Sequence, residues 1–168
     1  MLPVILSNGL GIDSEELELF IDEKIADLTL AERILLILAS EGFDEAFLVA
    51  DIPKISFNRL NKKFPEFKIH QSNSLTKIPR ETDILILQNN VVINKKQFQS
   101  TLKSISNTQE SVVIGQLKNC GIIFMKGSPS DNLDFQRKTI KDLCADFKRI
   151  IPEDLPIKLE VDQVRSNV

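Results

Sequence analysis

The chain has only two cysteines and one histidine in 168 residues, and neither type is arranged for chemistry. Cys120 and Cys144 lie far apart with no Cys-x-x-Cys or Cys/His spacing, which argues against a zinc site and against the disulfide framework of a small secreted domain. No Gly-x-Ser-x-Gly and no Walker sequence occurs, so serine-hydrolase and P-loop readings have no starting point. Long apolar runs are missing as well. The longest, Ile34 to Ala39, falls far short of the roughly 20 residues that span a bilayer. The start, Met1-Leu2-Pro3-Val4, lacks the charged region that opens a signal peptide. Charge of one sign is not in excess either: 21 basic and 24 acidic residues leave a net charge of -3, so no overall field gathers nucleic acid or anionic lipid. A reduced, cytoplasmic setting without a nucleic-acid partner is expected.

What is present is a 42% hydrophobic chain, long enough to bury a sizeable core, in which short apolar runs alternate with helical patterns. Strands are predicted from Pro3 to Ser7, Glu45 to Asp51, Phe67 to Gln71, Asp83 to Gln88, Ser111 to Lys118, Gly121 to Met125 and Ile157 to Val161. Helices are predicted from Leu30 to Glu41, Ile55 to Phe64, Lys95 to Ile105 and Leu133 to Ile151. That alternation is the signature of an α/β sheet. Residues 1–161 read as one domain and the polar stretch 162–168 as a tail or the start of a linker.

The Leu30 helix is the most sharply bounded. Thr29 and Glu32 have the spacing of a capping box, and Gly42 supplies a left-handed stop. Ile34, Leu35, Leu36, Ile37 and Leu38 cover more than one face of it, so it is expected to lie buried between the sheet and another element. Phe98, Leu102 and Ile105 form one stripe, and Leu133, Ile140, Leu143, Phe147 and Ile151 another, as expected of helices that cover a sheet.

The first strand runs into Ser7-Asn8-Gly9-Leu10-Gly11. A glycine-bearing turn at that point lets backbone N–H groups approach a phosphate closely, because glycine has no Cβ. The stretch VILSNGLG, followed by LTLAERILLILASEGF from Leu28 to Phe43, resembles the start of the nucleotidyltransferase family. The resemblance implies a three-layer, Rossmann-like (GT-A-like) fold with a mixed, mostly parallel sheet, and a phosphate-binding role for Asn8, Gly9 and Gly11. In that family the glycines are followed by Ser or Thr and then Arg, whereas here stand Ile12 and Asp13. Each like-charge pair that Asp13 makes with a triphosphate at roughly 5 Å costs about 3 kcal/mol at an effective dielectric near 20. Further acids follow at Glu15, Glu16, Glu18, Asp22 and Glu23.

The segment that opens at Lys24, KIADLTLAER, resembles the cytidylyltransferase-like domain found ahead of membrane CDP-alcohol phosphotransferases; Lys24, Leu28, Leu30, Glu32, Arg33 and Gly42 carry the likeness. It implies that Lys24 is the surviving phosphate ligand. DILILQNNVVINKKQF, from Asp83 to Phe98, resembles the family strand that ends in the aspartate holding magnesium. Asn89 and Asn90 occupy that place, and Asp162 is the candidate for the second, late carboxylate. Mg²⁺ prefers charged oxygen ligands and dehydrates reluctantly, so these positions read as vestigial, with Mg²⁺ required only if the domain is active. Asp51 ends its strand where α/β proteins often place functional groups. His70 reads as a strand residue and not a base.

No catalytic residue is assigned. The resemblance implies a catalytically degenerate nucleotidyltransferase-like domain serving CDP-alcohol phosphotransferase chemistry of the phospholipid-biosynthesis type. Its partner is then a membrane CDP-alcohol phosphotransferase domain in the same or another chain, reached at the cytoplasmic membrane face through a domain outside this chain. The membrane enzymes carry an Asp-Gly start to their motif, and this chain has no Asp-Gly dipeptide. Two alternatives stand beside that reading: an active CTP-dependent, Mg-assisted nucleotidyltransferase making a CDP-alcohol or nucleotide-sugar, with CTP or CDP-alcohol as ligand, and an α/β ligand-binding domain unrelated in function.

Overall fold

The computed structural model describes residues 1–6, 24–25, 28–50, 56–73, 77–79, 81–88, 91–115, 121–127, 147–154 and 157–158. In chain order the elements are β1 (Leu2–Leu6), β2 (Lys24–Ile25), β3 (Leu28–Thr29), α1 (Leu30–Ser40), β4 (Glu45–Val49), α2 (Asn58–Lys63), β5 (Lys68–Ser72) and β6 (Ile84–Gln88). They continue with β7 (Val91–Val92), α3 (Lys95–Ser106), β8 (Val112–Ile114), β9 (Ile122–Met125), β10 (Lys148–Ile150) and β11 (Ile157–Lys158). The main sheet has seven strands in the order β10-β8-β9-β6-β1-β4-β5. Among them only β9 runs against its neighbours β6 and β8; the pairs β1–β4, β1–β6, β4–β5 and β8–β10 are parallel. This is the mixed, mostly parallel sheet of the Rossmann-like class.

Strand alternation sorts the core into two sides. Ile5, Ala46, Leu48, Leu85, Leu87, Ile122 and Phe124 share one cluster with residues from all three described helices, among them Leu35, Leu38, Leu60, Phe98 and Ile105. Val4, Leu6, Val49, Ile84, Ile86, Val113, Ile123 and Met125 form the other, joined by Ile78 and by half-buried Phe47 and Phe147. Burial on both faces is what a parallel sheet requires, and it explains why β1 and β6 read as unbroken apolar runs.

α1 starts as expected, with Thr29 Oγ1 accepting from the Glu32 N–H at 3.1 Å. The second half of the capping box is replaced by a longer reach. The buried Glu32 carboxylate accepts from the N–H groups of Arg59 and Leu60, at 2.8 and 3.1 Å. Those are orphan donors of the first turn of α2, which has no side-chain cap of its own. One helix therefore caps the next. At the other end, Phe43 N–H bonds to Leu38 O and Gly42 N–H to Ala39 O, with Gly42 at φ +88, so the expected glycine stop is a Schellman motif. A full capping box occurs where none was predicted, between Asn94 and Gln97 at the start of α3.

Three expectations change. The predicted helix ending at Ile151 does not reach that far: Lys148–Ile150 is β10, paired in parallel with β8. Phe147 and Ile151 mimic a helical stripe at i, i+4, yet Ile151 is 55% exposed, and it precedes Pro152, a position that disfavours helix. The other members of that stripe, Leu133, Ile140 and Leu143, lie outside the described residues. β8 is shorter than predicted, stopping at Ile114 before Gly115. Leu36 and Ile37 are only half buried and pack at the margin of the core, whereas Ile34, Leu35 and Leu38 are fully enclosed.

Leu35→Ala should therefore cost about 2 to 5 kcal/mol, and Leu36→Ala clearly less, in denaturant unfolding of the two variants side by side. Glu32→Ala should cost about 1 to 3 kcal/mol by stranding the two α2 donors. Hydrogen exchange checks it: the first turn of α2 should lose protection before α1 does.

Candidate functional site

β1 leads through α1 to β4 on one side, whereas β6 leads through α3 toward β8 on the other. The carboxyl ends of β1 and β6 thus flank the point where the chain's direction of travel reverses. In open α/β sheets this crevice is where ligands bind. Leu6 and Gln88, the last residues of the two strands, are register partners. Gly121 approaches the same edge from β9, its carbonyl accepting the Gln88 backbone N–H at 2.9 Å. A Cβ on Gly121 would collide with the Val91 side chain, so this close approach requires glycine.

The predicted site residues converge on this edge in sequence. Asn8, Gly9 and Gly11 follow Leu6, Asn89 and Asn90 follow Gln88, and Asp51 follows Ala50. All of them, with Ile12, Asp13 and Asp162, lie outside the described residues. Lys24 is described through its backbone. It pairs with Thr29 in the β2–β3 ribbon, and Thr29 caps α1. Because α1 returns the chain to the start of β4, its amino end and the Lys24 backbone sit at the carboxyl edge of the sheet. β11 pairs antiparallel with β7, Lys158 opposite Val91, and Asp162 comes four residues later in sequence.

One residue at this edge was missed by sequence reasoning. Gln88 is 0% exposed, and both Oε1 and Nε2 lack a hydrogen-bond partner among the described residues. It continues the face of Ile84 and Ile86, and a polar residue at the end of such a run was the available signal. Gln88 is a neutral amide and two more, Asn89 and Asn90, follow it in sequence, whereas Mg²⁺ favours carboxylates.

His70 lies on edge strand β5, as expected of a strand residue. It meets Glu45 at 2.7 Å and stacks on Phe47 with ring centroids 4.9 Å apart. Both side chains are nearly half exposed, so the contact adds little stability. Two clefts among the described residues, of about 390 and 270 Å³, open at the opposite, amino edge of the sheet. Both are walled by Gly42, Phe43 and Asp44, away from the β1–β6 crevice. Among the described residues no helix is long and apolar enough to cross a membrane.

Asp83 closes the amino edge. Its backbone carbonyl accepts from Leu2 at 2.8 Å, and its carboxylate accepts from the Gly127 N–H at 2.8 Å and from Lys126 Nζ at 2.9 Å. The Gly127 hydrogen bond, then Lys126, holds this carboxyl below its ordinary value of 3.8. A group whose folded pKa is depressed contributes stability above its unfolded pKa and loses it as pH falls through the folded value. Asp83→Asn should therefore melt lower than the parent chain at pH 7, and the gap should close below about pH 3.8. Thermal scans from pH 7 to 2.5 test this; a gap constant across the series would remove the ion pair from the account.

No family model matches the chain, and no curated protein matches it in sequence. Solved structures do match it in fold. A 4-diphosphocytidyl-2C-methyl-D-erythritol synthase superposes with a TM-score of 0.61 at 10% identity, covering 99% of this chain and 96% of that one. The inositol-1-phosphate CTP transferase from T. maritima gives 0.58 at 9% identity, covering 99% and 96%. A UDP-glucose pyrophosphorylase from Acinetobacter baumanii gives 0.58 at 9%, covering 94% and 87%. The chain shares the fold of these proteins along nearly its whole length, and a shared fold does not by itself fix an activity.

Proposed function

We propose that the chain is a catalytically degenerate nucleotidyltransferase-like domain, residues 1–161, acting as an accessory or interaction module beside CDP-alcohol phosphotransferase chemistry. The observation that carries this reading is the amide run Gln88-Asn89-Asn90, whose first member ends β6, in a fold shared with cytidylyltransferases. Phosphoryl and nucleotidyl transfer depend on cations that neutralise the charge moving onto the leaving pyrophosphate. Here Ile12-Asp13 stands where the family places its arginine, and Asn89-Asn90 where it places its metal aspartate. Asn8, Gly9 and Gly11 keep the backbone means to hold a phosphate, Lys24 supplies one cation, and Asp162 is the remaining trace of a second metal carboxylate. The partner in this reading is a membrane CDP-alcohol phosphotransferase domain, in the same or another chain, at the cytoplasmic membrane face. The sequence likeness from Lys24 to Gly42 supports it.

The test supplies each nucleoside triphosphate with Mg²⁺ or Mn²⁺ and a panel of phosphoalcohols, and follows pyrophosphate release. Release should stay at the level of the protein-free control. Turnover that Lys24→Ala abolishes would overturn the degenerate reading in favour of a working CTP-dependent enzyme.

A further inference from the structure

We propose that Gln88 is a ligand-recognition group of the β1–β6 crevice, bonding through both ends of its amide to an uncharged group with a donor and an acceptor side by side, without a divalent cation. A nucleobase edge and the paired hydroxyls of a ribose both have that chemistry. The inference rests on the nucleotidyltransferase-like reading for its ligand class, and on the structure for its site.

An amide offers two donors and an acceptor with two lone pairs. Buried side chains of this kind are nearly always bonded. Gln88 is 0% exposed, and neither amide atom has a partner among the described residues. Its backbone N–H is already used by Gly121, and its Oε1 lies 3.8 Å from where a Cβ of Gly121 would stand. The faces above and beside it are apolar: Ile84 and Ile86 share its side of β6, and Leu6 is its register partner. Leucine would serve packing alone better, because it leaves no polar atom unsatisfied. A residue that costs stability at the point where this fold class binds ligands is what a stability–function trade-off leaves behind. The amide sets a donor beside an acceptor, so a group that presents the complementary pair engages both ends at once.

The test uses the full chain with Gln88→Leu and, closer in shape, Gln88→Met. Melting is measured without ligand, and calorimetry with cytidine, 2′-deoxycytidine, ribose 5-phosphate and pyrophosphate, each in EDTA and in Mg²⁺. Without ligand, both variants should melt about 2 to 4 °C higher than the parent, as removal of orphaned polar atoms predicts. The parent should bind cytidine equally in EDTA and Mg²⁺, and the variants about tenfold or more weakly, with pyrophosphate binding unchanged. Loss of affinity for 2′-deoxycytidine together with retained ribose 5-phosphate binding assigns the ribose hydroxyls; equal affinity for both nucleosides assigns the base. A lower melting temperature in both variants overturns the proposal, because the amide is then satisfied and structural. So does a parent that binds no nucleoside or pentose, one that binds only with Mg²⁺, or variants of unchanged affinity. None of these results touches the degenerate reading, which stands or falls on pyrophosphate release.

Discussion

β1 is paired in parallel on both edges and buried on both faces, and this constraint organises the other elements. Parallel neighbours cannot be joined by hairpins, so the chain must cross over from β1 to β4 and again from β4 to β5. α1 and α2 are those crossings, packed on one face of the sheet. The same requirement places the carboxyl ends of β1, β4 and β6 at a single edge. The crevice is thus a consequence of strand pairing before any side chain is chosen for it.

The crossings hold one another in place. Thr29 and the Gly42 turn fix the two ends of α1, and Glu32 links its first turn to the first turn of α2. Glu41, at the end of α1, meets Lys95 and Gln99 of α3 at 3.2 Å. The carboxylate of Glu32 faces the positive end of a short helix and lies out of water, so its bonds are charge-assisted and poorly screened. The Glu41 side chain is itself largely covered, but its partner Lys95 is 58% exposed, so solvent weakens that contact more.

Most of this was legible in the sequence because the signals are local. The apolar runs of β1, β4 and β6, the caps of α1 and the stripe of α3 each declare themselves within a dozen residues. What failed was nonlocal or ambiguous at short range. Glu32 has the spacing of a capping box, and only tertiary structure reveals that its carboxylate serves another helix. Phe147 and Ile151 fit a helical period, whereas the pairing of Lys148–Ile150 with β8 is set by a strand over 30 residues away. β2 and β3 are two-residue strands, too short to leave an alternation.

The candidate site was legible as a place and less so as a chemistry, and the reason is the same separation of scaffold from site. Superposition on cytidylyltransferases at about one residue in ten identical is possible because burial, pairing and capping accept many sequences. Transition-state stabilisation does not: it depends on particular charges at particular atoms. The described bonds that brace the crossings are made by Thr29, Glu32, Glu41 and the Gly42 turn, a set apart from the positions where the proposed reading looks for catalytic charges. Gln88 differs because it belongs to both sets. It is a strand residue of the sheet and the last side chain before the crevice, so an amide there burdens the scaffold in the absence of a partner. Leucine would serve packing alone at that position without an unsatisfied polar atom, so Gln88 is where the demands of the scaffold and of the proposed ligand site compete.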